Sequence, residues 1–359
     1  MSNIKNINIK NYRGLKNLEL KDFKDINLFI GENNTGKTSI LEVLNILSEP
    51  SNLGTFIKTS RIRETDYNFT SGSLSPYESF KNLFNQKDKP KEIFIEAETR
   101  NQKISVKLTG KETNIISVQS SFGISENNSI NNKSEASKSF KGNFIFNDSK
   151  SNLKKEFTFD QNQKRIELDS ETDQDKLLTT EYISPLEHLA QSRLLSKAIK
   201  AGNKSSLIKM IKIFDNKIKS LEIIDENGRP IPYIEHQELG MVPLSTFGDG
   251  LKKTLIIAAS IVNVKKGVLL IDEIETSIHK KALLDFFKWF IQSSFKYNVQ
   301  SFIATHSLEA IDALINASED NLDKIACYRL ENDAGEIYVN RISGEKLYNI
   351  RNSLGQDVR

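Results

Sequence analysis

The sequence predicts an α/β fold built around a parallel sheet, and two distant segments carry this prediction. Residues 27–47 (NLFIGENNTGKTSILEVLNIL) consist of an apolar run, a turn rich in Gly and Asn, and an amphipathic pattern, which indicates a strand, a loop and a helix. Residues 267–275 (GVLLIDEIE) form a second apolar run that ends in acidic residues. Such a continuous apolar run is typical of a strand buried on both faces of a parallel sheet, and we expect this strand to lie directly beside the first one.

Length and composition limit the protein classes that fit. The 359 residues suffice for one large domain or two smaller ones, and a hydrophobic content of 38% is compatible with a sizeable core. The net charge of +3 does not by itself indicate nucleic-acid binding. The single cysteine, Cys327, excludes an intramolecular disulfide and a cysteine metal cluster. Since we find neither a membrane-spanning apolar run nor an apolar signal core, we expect a cytoplasmic protein with no membrane partner.

The remaining elements follow from hydrophobic periodicity. Alternating apolar and polar residues predict strands near the N-terminus and a hairpin at 92–108, whereas 111–140 is rich in Ser and Asn and predicts a weakly ordered loop. Helical periodicity runs from 186 to 222, with a break at Gly202 and Asn203. Further on, the pattern predicts a turn feeding an apolar helix at 244–262, then helix, strand and terminal hairpin.

The turn at Gly31–Thr38 matches G-x-x-x-x-G-K-[ST], the phosphate-binding loop. Gly31 and Gly36 let the backbone N–H groups point inward, which makes an anion site at a helix N-terminus. Lys37 is predicted to reach the β- and γ-phosphates, and Thr38 to offer its hydroxyl to Mg²⁺. An ordinary Gly/Asn turn is the alternative, and the eight-residue match between a strand and a helix disfavours it.

Polar residues at the ends of two later strands complete the predicted site. Asp272 emerges at the carboxyl end of its strand, where ligands of open α/β sheets bind, and is predicted to hold Mg²⁺. Glu273 is placed to orient and deprotonate an attacking water. His306 ends the next strand and is predicted to hydrogen-bond the γ-phosphate or that water; a polar residue without a catalytic role is the alternative. His279 could line a subunit interface or cap the following helix.

A basic helix face leaves two interpretations open. Arg193, Lys197, Lys200 and Lys204 follow one another at helical spacing. The face is either simply solvated or a contact surface for nucleic acid or an acidic partner.

In this order the motifs resemble the RecF/SMC-related branch of ABC-type ATPases, and within it the AAA-family ATPases similar to the OLD proteins. The resemblance covers roughly residues 1–60 and 205–345. It is carried by five segments: NYRGL (11–15), GENNTGKTS (31–39), LSTFGDGLKK (244–253), LLIDEIETSIH (269–279) and IATHS (303–307).

The resemblance implies an ABC-type P-loop ATPase head, with a mixed central sheet flanked by helices, an antiparallel β-subdomain and a short, mainly helical insertion. Residues 1–100 and 226–359 are then the two parts of the head. Between them we expect a β-rich, low-complexity insertion at 101–180 and a short helical arm at 181–225.

The resemblance also implies ATP and Mg²⁺ as cofactors and a dimer of heads. Ser245, Gly248 and Gly250 match the signature segment, which in the family completes the nucleotide site of the opposite subunit. Two heads then sandwich two ATP molecules in a homodimer, and a higher oligomer is left open. Arg13, in NYRGL, matches an arginine that lies near the phosphates in relatives. Lys37, Glu273 and His306 match the catalytic residues. The resemblance also implies that Asn33, Asn34, Thr35 and Ser39 of the loop contact the nucleotide.

Departures from the family pattern shape the functional expectation. No long heptad run or Toprim nuclease module is found, and no glutamine-loop residue can be assigned. Relatives without a nuclease often work beside a separately encoded effector, so we expect an ATPase that switches a nuclease or toxin in anti-phage defence. A RecF-like DNA-repair ATPase that binds DNA is the alternative. A transporter ATPase is disfavoured, because its signature would read closer to LSGGQ.

Overall fold

The computed structural model describes residues 3–63, 75–85, 91–117, 135–161, 176–185 and 192–359. The helices of this part are α1 (Lys37–Ile46), α2 (Leu53–Ser60), α3 (Pro76–Lys81), α4 (Ser192–Lys200), α5 (Lys204–Ile211), α6 (Asp249–Asn263), α7 (Lys280–Tyr297), α8 (Leu308–Ala317) and α9 (Gly344–Tyr348). The strands are β1 (Ile4–Tyr12), β2 (Leu15–Leu20), β3 (Ile26–Ile30), β4 (Lys91–Thr99), β5 (Lys103–Ser117), β6 (Glu135–Asn147), β7 (Asn152–Asp160), β8 (Thr180–Ile183), β9 (Ile218–Glu226), β10 (Arg229–His236), β11 (Gly240–Pro243), β12 (Val268–Ile271), β13 (Gln300–Ala304), β14 (Ile325–Asp333) and β15 (Glu336–Ser343).

The central sheet has the strand order β15-β14-β3-β13-β12-β8. Its strands are parallel except for β15, which pairs with β14 as an antiparallel hairpin. The phosphate loop follows β3, and the acidic residues follow β12. The expectation that these two strands are neighbours is wrong, because β13 lies between them. Since all three are parallel, their carboxyl ends still open onto the same edge.

A second sheet is antiparallel and has the order β2-β1-β4-β5-β6-β7. Helix α1 lies between it and the central sheet: Ile40 and Leu44 belong to the same buried cluster as Ile9 of β1 and Phe29 of β3. The opposite face of the central sheet is covered by α6, α7 and α8, whose apolar residues form a second cluster. The phosphate loop is therefore followed directly by α1, a helix that packs against a sheet on each side.

The insertion is more closely tied to the head than expected. Strand β5 extends to Ser117 and β6 begins at Glu135, so parts of the predicted loop at 111–140 are strand; residues 118–134 lie outside the described part. The expected boundary after residue 100 falls inside the β4–β5 hairpin, because β5, β6 and β7 continue the sheet of β1 and β4. Strand β8 pairs with β12 in the central sheet.

Helices α4 and α5 do not form a separate arm. Leu195, Leu207 and Met210 are fully buried, in the cluster that also contains Leu255 of α6. The break predicted at Gly202 and Asn203 is confirmed, since α4 ends at Lys200 and α5 begins at Lys204. Within the described residues, no helix is both long and apolar enough to cross a bilayer.

Candidate functional site

The phosphate loop needs glycine at two positions. Gly31 has φ +143°, and a Cβ there would lie 2.3 Å from the carbonyl oxygen of Leu330. Gly36 precedes α1 with φ +90°, and a Cβ would lie 2.7 Å from Leu15 Cδ2. At both positions a larger residue would strain the backbone. At Gly31 it would also clash with a backbone oxygen, whereas at Gly36 the neighbour is the end of a leucine side chain, which can move aside. These two residues therefore shape the turn that begins α1.

Lys37 folds back over the loop it follows. Its Nζ donates hydrogen bonds to the carbonyl oxygens of Gly31 at 2.8 Å and Glu32 at 2.7 Å. Burial lowers the pKa of this ammonium, while the carboxylates of Asp272 and Glu273 act in the opposite direction. The ammonium group thus lies across the loop. When a phosphate binds there, its oxygens would replace the two carbonyl oxygens as hydrogen-bond acceptors of Lys37.

The other loop residues differ in exposure. Asn33 and Asn34 are exposed, and Asn34 has φ +64°. Thr35 is buried and donates its hydroxyl to the carbonyl oxygen of Glu32 at 2.9 Å. Ser39 is buried one residue beyond Thr38. Asn33 and Asn34 are therefore free to approach a ligand, whereas Thr35 supports the turn.

Thr38 and Asp272 are brought into direct contact. The Thr38 hydroxyl donates to Asp272 Oδ2 at 2.7 Å, joining residues 234 positions apart in the chain. The Tyr182 hydroxyl, on β8, donates to the same oxygen at 3.4 Å. Burial raises the pKa of the Asp272 carboxyl, although the hydrogen bond from Thr38 works against this. A hydroxyl and a carboxylate are hard oxygen donors, as Mg²⁺ requires when substrate phosphates and water supply its other ligands.

Glu273 and His306 lie together just beyond the ends of β12 and β13. Nδ1 of His306 is 3.9 Å from Glu273 Oε1 and 3.5 Å from Glu275 Oε1. Glu273 has φ +46° and its side chain is 39% exposed, so water can reach it. Thr276 donates its hydroxyl to Glu273 Oε2 at 3.4 Å. The pair predicted to act on water is therefore adjacent to the Thr38–Asp272 contact.

The signature segment lies at the start of α6. Ser245 and Gly248 are exposed, and Gly248 is the residue immediately before the helix. Gly250 packs against the turn after β12, since a Cβ there would lie 2.4 Å from Ser277 O. Asp249 forms an ion pair with Lys252 at 2.6 Å, which offsets the carboxylate charge at this end of the helix. The exposed glycine end of α6 leaves room for a ligand carried by another molecule.

His279 caps a helix, one of the two alternatives left open by its position. Its Nδ1 accepts a hydrogen bond from the backbone N–H of Lys281 at 3.3 Å, at the N-terminus of α7. A role at a subunit interface stays a prediction.

Arg13 is engaged by a buried carboxylate. Its Nε donates to Glu42 Oε2 at 2.7 Å, and Arg63 Nε donates to Glu42 Oε1 at 2.7 Å. The Glu42 side chain, on α1, is 0% exposed. Arg63 also donates to Ser39 Oγ at 3.0 Å. Glu42 thus binds the guanidinium of Arg13 as well as that of Arg63, and Arg63 also contacts Ser39 next to the loop. A contact of Arg13 with the phosphates stays a prediction.

This cluster predicts a strong dependence of stability on Glu42. Replacing it by Gln leaves two guanidinium groups beside α1 without a carboxylate, and we expect a loss of about 3 kcal/mol in the free energy of unfolding. Urea denaturation measures the loss. Glu19→Gln is the control, because Glu19 pairs with Lys21 in an exposed ion pair, and its replacement should change stability by less than ~1 kcal/mol. Equal effects of the two substitutions would contradict the prediction.

Four residues of the site were missed from the sequence: Arg63, Tyr182, Lys253 and Glu275. Tyr182 lies on β8, which pairs with β12, the strand that precedes Asp272. Strand β8 contains no glutamine, so it does not supply the glutamine-loop residue that the sequence left unassigned. Lys253 is fully buried in α6, and its Nζ donates to the carbonyl oxygen of Glu273 at 2.6 Å. Only Glu275, in the run of acids after β12, carried a signal in the sequence pattern.

Comparison with known proteins gives the family. The family described as "AAA domain, putative AbiEii toxin, Type IV TA system" matches residues 26–312, which spans both halves of the site. The chain belongs to this family. A curated relative, an "ATP/GTP phosphatase" of Helicobacter pylori (strain ATCC 700392 / 26695), is 27% identical over 331 residues, with 87% of each chain covered. This AAA-domain protein is an ATPase.

Solved structures agree on the fold. The structure described as "SmcHead bound to the C-winged helix domain of ScpA" matches with a TM-score of 0.53 at 12% identity, covering 97% of this chain and 100% of that chain. An Smc head with an extended coiled coil, bound to the C-terminal domain of ScpA derived from Pyrococcus furiosus, matches with a TM-score of 0.50 at 10% identity, covering 99% and 100%. The predicted ABC-type P-loop ATPase head is thereby confirmed; the narrower resemblance to OLD proteins stays a prediction.

Proposed function

We propose that this AAA-domain protein is a magnesium-dependent ATPase whose nucleotide cycle switches a separately encoded effector. The observation that carries the proposal is the 2.7 Å hydrogen bond between Thr38 and Asp272. It joins the phosphate loop to the carboxylate at the end of β12. In P-loop ATPases these two groups act together by holding the Mg²⁺ ion of a bound triphosphate. The same hydroxyl and carboxylate would hold Mg²⁺, which supplies electrostatic stabilisation of the phosphate charge.

The protein residues divide the remaining work. Lys37 exchanges the carbonyl oxygens of Gly31 and Glu32 for phosphate oxygens, and the N-terminus of α1 adds backbone N–H donors. Glu273 accepts the proton of the attacking water, because its carboxylate is reached by solvent and is near enough to Lys37 to raise the pKa of the ammonium group against the effect of burial. His306, 3.9 Å from Glu273, orients that water or the γ-phosphate.

The proposed working unit is a homodimer of heads. Ser245 and Gly248 lie exposed at the start of α6, and a helix N-terminus attracts a phosphate of a nucleotide bound to a second copy. The ion pair between Asp249 and Lys252 removes the repulsion that an unpaired carboxylate would cause. ATP then joins the two heads through its terminal phosphate, and hydrolysis releases them.

In this proposal the effector is a nuclease or toxin that acts in anti-phage defence. The family's description, which names a putative toxin and a type IV toxin–antitoxin system, supports a role of this kind. The two structural neighbours are heads of similar fold with a partner domain bound. A head that opens and closes with ATP can therefore present or withdraw a partner's docking surface.

A DNA-binding repair ATPase is the second candidate, favoured by the exposed basic residues of α4. Arg193, Lys197 and Lys200 are exposed on this helix. Lys204 forms an ion pair with Glu222 at 2.5 Å, so its charge is already neutralised within the protein. The basic surface is thus smaller than the sequence predicted. Three neighbouring cations would give DNA binding that weakens as salt increases.

One experiment separates the two candidates. ATP hydrolysis by the purified protein is measured with and without double-stranded DNA, at low and moderate salt, alongside the triple variant Arg193→Gln, Lys197→Gln, Lys200→Gln. Under the effector proposal, DNA leaves turnover unchanged in both proteins. DNA stimulation that the triple variant loses would replace it with the repair function. Removal of Mg²⁺ by a chelator should abolish hydrolysis in either case, and hydrolysis that persists would contradict both.

A further inference from the structure

Lys253 has an unusual environment for a lysine. It lies in α6, one turn beyond Gly250, and is 0% exposed. Burial lowers the pKa of its ammonium group to about 8, despite the opposing effect of the Glu275, Glu273 and Asp272 carboxylates. Burying a lysine costs free energy, so a position of this kind requires a strong compensating interaction. The hydrogen bond that the structure shows is made to backbone: Nζ donates to the carbonyl oxygen of Glu273 at 2.6 Å.

That carbonyl belongs to a strained residue. Glu273 has φ +46°, in the left-handed region, which costs a non-glycine residue about 1 kcal/mol or more. Ser277, four residues later, has φ +70°. The backbone from Glu273 to Ser277 thus turns sharply at both ends, and its conformation determines where the Glu273 carboxylate points. An interaction that holds this turn acts on the proposed general base.

Helix α6 touches the turn at both of its strained ends. Lys253 holds the Glu273 carbonyl, and Gly250 is in such close contact with Ser277 that a Cβ would lie 2.4 Å from its oxygen. Gly250 is separated from the exposed Gly248 by a single residue. A displacement of the start of α6 therefore reaches Glu273 through two short contacts within one protein chain.

The simpler interpretation is that Lys253 only balances charge. A counter-ion, however, is expected to approach carboxylate oxygens, and none of the hydrogen bonds of Lys253 in the described residues goes to one. Its single hydrogen bond there restrains backbone geometry instead.

We propose that Lys253 is a positioning residue that links the signature end of α6 to Glu273, so that nucleotide held by the partner subunit promotes hydrolysis in this subunit's own site. The inference rests on the proposed dimer of heads. In that dimer the start of α6 meets the partner's nucleotide, while Glu273 of the same chain acts on the chain's own nucleotide. Hydrolysis at the two sites is then coupled. The rate of ATP hydrolysis should therefore rise more steeply with ATP concentration than it would for two independent sites.

The test compares Lys253→Met with the parent protein. The substitution keeps the length and apolar stem of the side chain and removes the donor. We expect kcat to fall about 10- to 100-fold, as for a misplaced catalytic group, with the affinity for ATP unchanged. We also expect the Hill coefficient of ATP hydrolysis to fall from above one to about one. Hydrolysis rates over a range of ATP concentrations and binding of a fluorescent ATP analogue provide these values.

Two further variants make the result specific. Lys253→Arg retains the charge and a donor and should recover part of the cooperativity, which loss of packing alone would not explain. Lys288→Met is the matched control, because Lys288 is exposed on α7, and it should behave like the parent. If Lys253→Met does not fold, Lys253→Leu, which also removes the donor, is measured in its place with the same expected results.

The outcomes distinguish this inference from the proposed function. A parent protein that neither hydrolyses ATP nor dimerises contradicts the proposed function itself. A parent that hydrolyses ATP with a Hill coefficient of one overturns only the link between sites. Unchanged kcat and cooperativity in Lys253→Met overturn the role of Lys253 and leave the ATPase in place.

Discussion

Glu273→Gln is expected to slow ATP turnover by about 100- to 10,000-fold while leaving ATP bound, because the amide cannot accept a proton from water. Its carbonyl oxygen can still accept the hydrogen bond from Thr276, and its backbone can still be held by Lys253, so the turn that follows β12 should keep its shape. Since the γ-phosphate is no longer removed, dimers joined by ATP should accumulate. Turnover is measured by phosphate release, and dimers by size-exclusion chromatography with light scattering.

The control for Glu273→Gln is Asp285→Asn, the same chemical change at an exposed carboxylate of α7. It should hydrolyse ATP like the parent and show no accumulation of dimers. A Glu273→Gln protein that turns over ATP at the parent rate would show that another group accepts the proton, and Glu275 would be the next residue to replace. Slow turnover without dimers would separate the catalytic role from the dimer proposal.

Lys37→Met is expected to have the second large effect, a loss of about 30-fold or more in affinity for ATP. Removing one partner of a buried, hydrogen-bonded charge pair costs about 2–5 kcal/mol, and each 1.4 kcal/mol is about tenfold in affinity. The fold itself should tolerate the change, because the partners that Lys37 leaves are carbonyl oxygens of Gly31 and Glu32 rather than a carboxylate. Binding of a fluorescent ATP analogue gives the affinity, and thermal denaturation without nucleotide gives the stability.

Lys288→Met again serves as the control for Lys37→Met, since it makes the same change at an exposed position of α7. It should bind ATP with the parent affinity. An unchanged affinity in Lys37→Met would mean that the loop holds something other than a triphosphate. That result would remove the basis of the ATPase proposal.

The phosphate loop and the acidic strand could be predicted from sequence because each depends on local rules. A glycine is needed where φ is positive, as at Gly36, and a run such as Val268–Ile271 is buried wherever it folds. The same rules predicted that Thr38 and Asp272 would meet at one sheet edge. They could not place β13 between β3 and β12, because strand order depends on how crossovers pack and not on the strands' own residues.

Residues whose role depends on distant neighbours were misjudged or missed. Nothing in the sequence indicated that Glu42 of α1 binds the guanidinium of Arg13. Helices α4 and α5 were expected to form an arm, but their apolar faces pack against α6. The sequence predicted the positive charge of Arg13 and the two helices correctly. It could not predict that Glu42 would bind the arginine or that α6 would cover the helices, because these groups come from distant parts of the chain.

The amino-acid sequence by itself determined that a strand, a glycine loop and a helix make an anion site, and that carboxylates follow a second buried strand. Backbone dihedral preferences and hydrophobic burial are properties of short segments, so they can be inferred without the fold. Only the tertiary structure decided that Lys253 reaches the Glu273 carbonyl and that Tyr182 reaches Asp272. A buried charge or hydroxyl takes its role from whichever group lies within hydrogen-bond distance, and packing alone decides which group that is.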